Sequence, residues 1–325
     1  MQLLLSWRRN PPGQILSWTL RGCSQVMFQN NPTCGLLFFI AIFLAAFQAG
    51  MPQIAWGCLL ATVIATITAA LQATDRAGLA QGLYGYNACL LGVALPTFLA
   101  PGPLMWCSIV FWSLLSPGIT VALNRWLAPG PLPALTAPFV LASWVTLLGS
   151  YHFNALPPAH LPPPELPLAR VFTDIPSLPG DLLREFLSGV SQVFLADNAL
   201  SGTLILLGLA ISSPRAMGYA LLGAALALSI AWGLQAEPAS LREGLYAFSA
   251  VLTAVALGSA FPVPGKSALP RCLAGILSTV LVQGAFNTLL APFGIPSLTM
   301  PFVSVTWCYL LSAPGSEPTK ERDCV

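Results

Sequence analysis

PALTAPFV at 133–140 and PSLTMPFV at 296–303 are near copies of one another, 163 residues apart. Each sets a threonine, Thr136 or Thr299, two residues before a proline–phenylalanine pair inside an apolar segment. Proline lacks the N–H that a helix uses and crowds the preceding turn, so each copy reads as a break in a greasy helix. On that reading the carbonyls of Ala134 and Ser297, four residues before Pro138 and Pro301, lose their helical donors.

The likeness extends outward. ALNRWLAPGPLPALTAPFV at 122–140 and AFNTLLAPFGIPSLTMPFV at 285–303 share eleven of nineteen residues without a gap. SQVMFQNN at 24–31 matches SQVFLADN at 191–198 with an offset of 167, and GLYGYNACL at 82–90 matches GLYAFSAVL at 244–252 with an offset of 162. Three matches in one order, at nearly equal offsets, mean an internal duplication.

Composition supplies the solvent. Apolar residues make up 56% of 325 and charged residues 7%, with a mean hydropathy of +0.76; a soluble domain carries about a quarter charged residues. No charge falls in 22–74, 77–124 or 272–316. Windows that long hold membrane-spanning helices. Spans are predicted at 33–49, 52–72, 80–100, 104–127 and 133–150, then at 200–213, 215–234, 242–261, 267–289 and 297–313.

The expected fold is an all-α polytopic membrane protein with a first repeat at 14–150 and a second at 182–313. A proline-rich surface connection, 151–181, holds both histidines, His152 and His160. Each repeat opens with a segment too short or polar to span, QILSWTLRGCSQVMFQ at 14–29 and LLREFLSGVSQVFLAD at 182–197, read as a half-membrane pore helix. Five spans per half is an odd number, so the second half enters from the opposite side, an inverted arrangement that puts a site between the halves near the midplane. Arg8, Arg9 and Arg21 without an acid place both termini in the cytoplasm and the connection outside. The N-terminus lacks the order of a signal peptide and is expected to be retained.

The span cores are predicted to hold no ionisable side chain, which argues against an ion-driven pump. There is no phosphate loop, metal helix or nucleophile–base pair, so no enzyme, cofactor or metal site is expected, and a net charge of +2 gives no reason to expect nucleic acid. The cysteines read as small buried hydrophobes. What remains is uncharged and doubled: Thr136 and Thr299 hydroxyls, Gln25 and Gln192 amides, and walls from Phe28, Tyr86 and Phe248, with Leu90 and Leu252 one turn beyond the last two. The half-helix C-termini should add free carbonyls. Such a path suits a small, flat, neutral solute rich in N–H donors. Taken singly, each threonine has the alternative of bonding back to its own helix, and Gln25 that of an interhelical bond.

At these residues the sequence resembles the urea transporter family, in the form of a bacterial urea channel. LPALTAPF at 132–139 carries that family's doubled signature intact, and IPSLTMPF at 295–302 carries it with isoleucine for the first leucine. The resemblance implies facilitated diffusion of urea through a narrow slot in each protomer of a homotrimer, in the plasma (cell inner) membrane. It assigns Gln25, Val26, Phe28, Tyr86 and Leu90 to one half of the slot, and Gln192, Val193, Leu195, Phe248 and Leu252 to the other. Thr136 and Thr299 fall at the constriction between them. Gln192 stands where a glutamate is common in the family, and Tyr86 where phenylalanine is usual. Short amides, ammonia and water stay open as alternative solutes.

Overall fold

A computed structural model describes residues 12–72, 75–128, 130, 132–167, 179–263 and 267–312. Arg8, Arg9, Arg170, Lys266 and the tail SEPTKERDCV lie outside the described residues. Seven helices come first: α1 (Pro12–Gln25), α2 (Pro32–Gln48), α3 (Pro52–Leu71), α4 (Arg76–Ala80), α5 (Tyr86–Phe98), α6 (Pro103–Leu127) and α7 (Ala137–Ser150). Seven more follow in the same order: α8 (Pro179–Ser191), α9 (Ala199–Ser212), α10 (Pro214–Gly233), α11 (Pro238–Arg242), α12 (Phe248–Val255), α13 (Ala268–Leu290) and α14 (Met300–Leu311). A π turn, Ala256–Ala260, extends α12.

The helix starts follow from local chemistry. Prolines begin α2, α3, α6, α10 and α11, where a missing N–H costs nothing. Asn31 caps α2 by accepting from the Thr33 and Cys34 amides, and Asn198, its counterpart, caps α9 through the Ser201 amide.

Among the described residues, four segments are long and apolar enough to cross a membrane: α3, α6, α10 and Ala268–Phe293. A fifth candidate joins Leu182–Phe194 to α9 across a bend of 71°. The other apolar helices, α2, α5, α7, Phe248–Ala260 and α14, are shorter. The predicted spans 80–100 and 242–261 are each broken by a glycine in the left-handed region, Gly82 at φ 82° and Gly244 at φ 70°. The predicted spans 133–150 and 297–313 begin as non-helical turns, so the signature threonines sit at helix N-termini.

Packing reverses the soluble pattern. α3 buries Ala55, Gly57, Cys58, Ala61, Ala65 and Ala69 while Trp56 and Leu60 face outward. α10 likewise buries Ala216, Ala220, Gly223, Ala224, Ala227 and Ala231. Small residues inside and large ones outside are what helices in lipid require, because close backbone approach, not exclusion of oil from water, drives their association. Residues 151–167 cover one end of the bundle: the Ala100 amide donates to Pro157, Ala159 to Phe98 and Glu165 to Ala291. His152 and His160 are exposed there, as expected.

The tightest approaches are paired. A methyl built on Gly35 of α2 would run into the Leu20 carbonyl of α1, and one on Gly202 of α9 into the Leu187 carbonyl of α8. Backbone cannot yield as a side chain end would, so Gly35→Ala and Gly202→Ala should each destabilise by about 1–3 kcal/mol or more. Gly118 on α6 has open space around it. Gly118→Ala is expected to leave the melting temperature unchanged or slightly raised. Thermal melts of the detergent-solubilised variants check this; equal melting of all three would contradict it.

Candidate functional site

The two signature turns meet. Leu135 and Leu298 both take φ 49°, in the left-handed region where leucine is strained. The following threonines then lie at φ −89°, ψ 12° and φ −90°, ψ 13°. This backbone turns the two hydroxyls toward each other, and Thr136 Oγ1 and Thr299 Oγ1 lie 2.6 Å apart, each residue 3% exposed. One donates and the other accepts, so each retains unused capacity.

Two tryptophans hold the turns in a reciprocal clamp. Trp144 Nε1 on α7 donates to the Pro296 carbonyl at 3.0 Å, and Trp307 Nε1 on α14 donates to the Pro133 carbonyl at 2.9 Å. Each helix thus grips the turn that begins the other. Neither tryptophan was singled out from the sequence, although they too are 163 residues apart, and that offset was the signal that could have found them.

One expectation fails here. Pro138 and Pro301 occupy the first turn of α7 and α14, where no helical donor is required. The carbonyls of Ala134 and Ser297 are not free; they accept from the Ala137 and Met300 amides at 3.2 Å. The C-terminal ends of α1 and α8, expected to carry free carbonyls, are also less bare than expected. The carbonyls of Cys23, Ser24 and Gln25 accept from amides of residues 26–29, and Gln192 accepts from Leu195.

The flanks repeat the same chemistry. Gln25 Nε2 donates to the Gln81 carbonyl at 2.9 Å, and Gln192 Nε2 to the Glu243 carbonyl at 3.0 Å. Phe28 (φ 61°) and Leu195 (φ 53°) make the left-handed step between α1 and α2 and between α8 and α9. Ser24 and Ser191 pin these turns by donating to the Gln29 and Ala196 carbonyls at 2.6 and 2.5 Å. Val26, Leu90, Val193, Phe248 and Leu252 are buried in one apolar cluster, with Phe28, Tyr86 and Leu195 packed against it. Phe28 sits edge-on to Phe261 (5.6 Å between centroids) and Phe302 (6.0 Å).

Eight of the predicted residues thus share one apolar cluster, and Tyr86 reaches the turn that carries Thr136 through the Leu135 carbonyl. The flanks of the threonine pair are not identical. Tyr86 Oη donates to the Leu135 carbonyl at 2.7 Å, and Asn87 Nδ2 reaches the same oxygen at 3.3 Å while Asn87 Oδ1 accepts from the Phe139 amide at 3.2 Å. On the other side the residues lining a cavity of about 470 Å³ include Gln192, Leu195, Phe248 and Leu298, and also Glu237 and Glu243. Glu243 lies in the turn between α11 and α12. Its carboxyl is pushed above the usual range by burial first, then by Asp197 and Glu237, with Arg184 opposing. Asp197 is itself paired with Arg184 at 3.1 Å.

The profile of the urea transporter family matches residues 16–314. Among curated proteins, Urea transporter 1 of Ovis aries is 31% identical over 317 residues, covering 96% of this chain and 81% of that protein. Urea transporter 1 of Mus musculus is 30% identical over 329 residues, with the same coverage of each chain. The match runs from α1 through α14 and includes both copies of the threonine turn, and on this ground the chain belongs to the urea transporter family.

Proposed function

We propose that this chain conducts urea passively, through a narrow uncharged slot between two inverted halves of five spans each, with a half-membrane helix in each half. The observation that carries this reading is the 2.6 Å contact between Thr136 and Thr299, buried where the two signature turns meet. Backbone geometry that repeats at positions 28 and 195, 82 and 244, and 135 and 298 supports the two-half organisation at 14–150 and 182–313, joined by 151–181. The odd number of spans per half is what inverts the second half.

Urea is planar and neutral, with four N–H donors and one carbonyl. Threonine hydroxyls replace its water by accepting and donating, and aromatic and aliphatic side chains hold its plane. Phe28, Tyr86, Val26 and Leu90 form the walls on one side of the constriction. Phe248, Leu195, Val193 and Leu252 form those on the other. Gln25 and Gln192 fix the ends of the half-helices and offer amide oxygens. A dehydrated cation finds no counter-charge at the threonine pair, and burying an unpaired charge costs far more than a hydroxyl returns. The slot is therefore a filter for neutral solutes. We place one slot in each protomer of a homotrimer in the plasma (cell inner) membrane, with both termini cytoplasmic.

The test is urea efflux from proteoliposomes. Thr136→Val and Thr299→Val keep the shape but remove a hydroxyl, and each should lower urea flux about tenfold, while Thr→Ser at either position retains most of it. Unchanged flux in both valine variants would remove the threonines from the path. Flux through the native protein is also expected to follow the urea gradient alone. Uptake against that gradient, driven by sodium or protons, would overturn the passive mechanism.

A further inference from the structure

Each threonine turn is anchored at two successive residues before the strained leucine. The first anchor comes from the opposite half, where Trp307 takes the Pro133 carbonyl and Trp144 the Pro296 carbonyl. The second comes from the same half. The buried Ala134 amide donates to Asn124 Oδ1 of α6 at 2.7 Å. In the second half Ser297 stands for Ala134 and Asn287 of α13 for Asn124, both at the offset of 163. Ser297 Oγ donates to Asn287 Oδ1 at 2.9 Å, while Gln283 Nε2 donates to Ser297 Oγ at 2.5 Å and to Asn287 Oδ1 at 3.0 Å. The brace is a main-chain bond in one half and a ring of three side chains in the other. In both it ends on the same asparagine oxygen.

Leu135 and Leu298 follow immediately, both at φ 49°. A leucine stays in that region only where its surroundings over-determine the backbone. A buried amide or hydroxyl that loses its acceptor pulls the chain toward another partner. Resting on the urea reading above, we propose that Asn124 and Asn287 are positioning residues for the slot. Each fixes the residue before the left-handed leucine, so that Thr136 and Thr299 meet at 2.6 Å and the opening between the turns stays fitted to urea. Both act through the turn and not on the solute. Without its brace the leucine relaxes toward negative φ and carries its threonine away. The opening then loses its paired hydroxyls and its fixed width together, so urea passes more slowly and bulkier amides are excluded less well. Because these bonds end on an asparagine oxygen, an aspartate of the same shape keeps them.

Proteoliposomes holding the native protein, Asn124→Leu, Asn287→Leu, Asn124→Asp or Asn287→Asp are assayed for urea and for N,N′-dimethylurea, which keeps the carbonyl but is wider. Each leucine variant should lower urea flux about three- to tenfold, the worth of one lost hydrogen bond, and shift the ratio of the two fluxes toward dimethylurea. Each aspartate variant should retain most of the urea flux and the native ratio. Size-exclusion profiles identify any leucine variant that fails to fold; Asn124→Ser or Asn287→Ser, whose hydroxyl is too short to reach the turn, then carries the test. Unchanged urea flux in the folded leucine or serine variants overturns the positioning role. So does a fall of both solutes in equal proportion, or an equal loss in the aspartate and leucine variants, and each of these results leaves urea conduction intact. Native flux no faster than in protein-free liposomes would instead sink the urea reading and this inference with it.

Discussion

Two non-helical turns are held inside an apolar bundle, and every polar group they expose needs a partner that water cannot supply. The solution is mutual. Thr136 bonds Thr299, Trp144 takes the Pro296 carbonyl, and Trp307 takes the Pro133 carbonyl. Neither turn could be satisfied in this way by its own half. The same bonds that make the turns tolerable therefore fix where the halves touch and leave hydroxyls, not charges, at that point.

From this constraint the rest of the architecture follows. Helices α7 and α14 begin at the turns and run outward, so their N-terminal prolines cost little. Gly35 and Gly202 let α1 and α8 lie against α2 and α9, and Gln25 and Gln192 donate to the carbonyls of Gln81 and Glu243. Left-handed Phe28 and Leu195 complete the reversal. Glu237 and Glu243 are among the residues lining the 470 Å³ cavity, while the threonine pair lies between the turns of Leu135 and Leu298.

Much of this is legible in the sequence because duplication makes weak signals strong. A lone Thr-x-Pro-Phe is a kink; two at an offset of 163, with partners at 162 and 167, mark opposing surfaces. Four of the predicted spans, 52–72, 104–127, 215–234 and 267–289, follow from hydropathy and coincide with helices long and apolar enough to cross a membrane. What is not legible depends on backbone angles. Proline chemistry suggested freed carbonyls at Ala134 and Ser297, but left-handed Leu135 and Leu298 shift the turn so that those oxygens are bonded. The acceptor that differs between the halves is instead the leucine carbonyl, which no side-chain pattern announces. Asn87 escaped notice because its counterpart is Ser249, so the comparison of the halves hid the residue that makes them differ.

The most direct measurement closes the constriction chemically. In a protein whose native cysteines have been replaced, Thr136→Cys and Thr299→Cys are introduced singly and together, and urea flux is followed in the presence of cadmium ions. The account predicts that the paired variant alone is blocked, and that a chelator restores its flux, because hydroxyls 2.6 Å apart put two thiols within reach of one ion. Full flux through the cadmium-treated pair, or equal block of either single variant, would contradict a path that runs between these two residues.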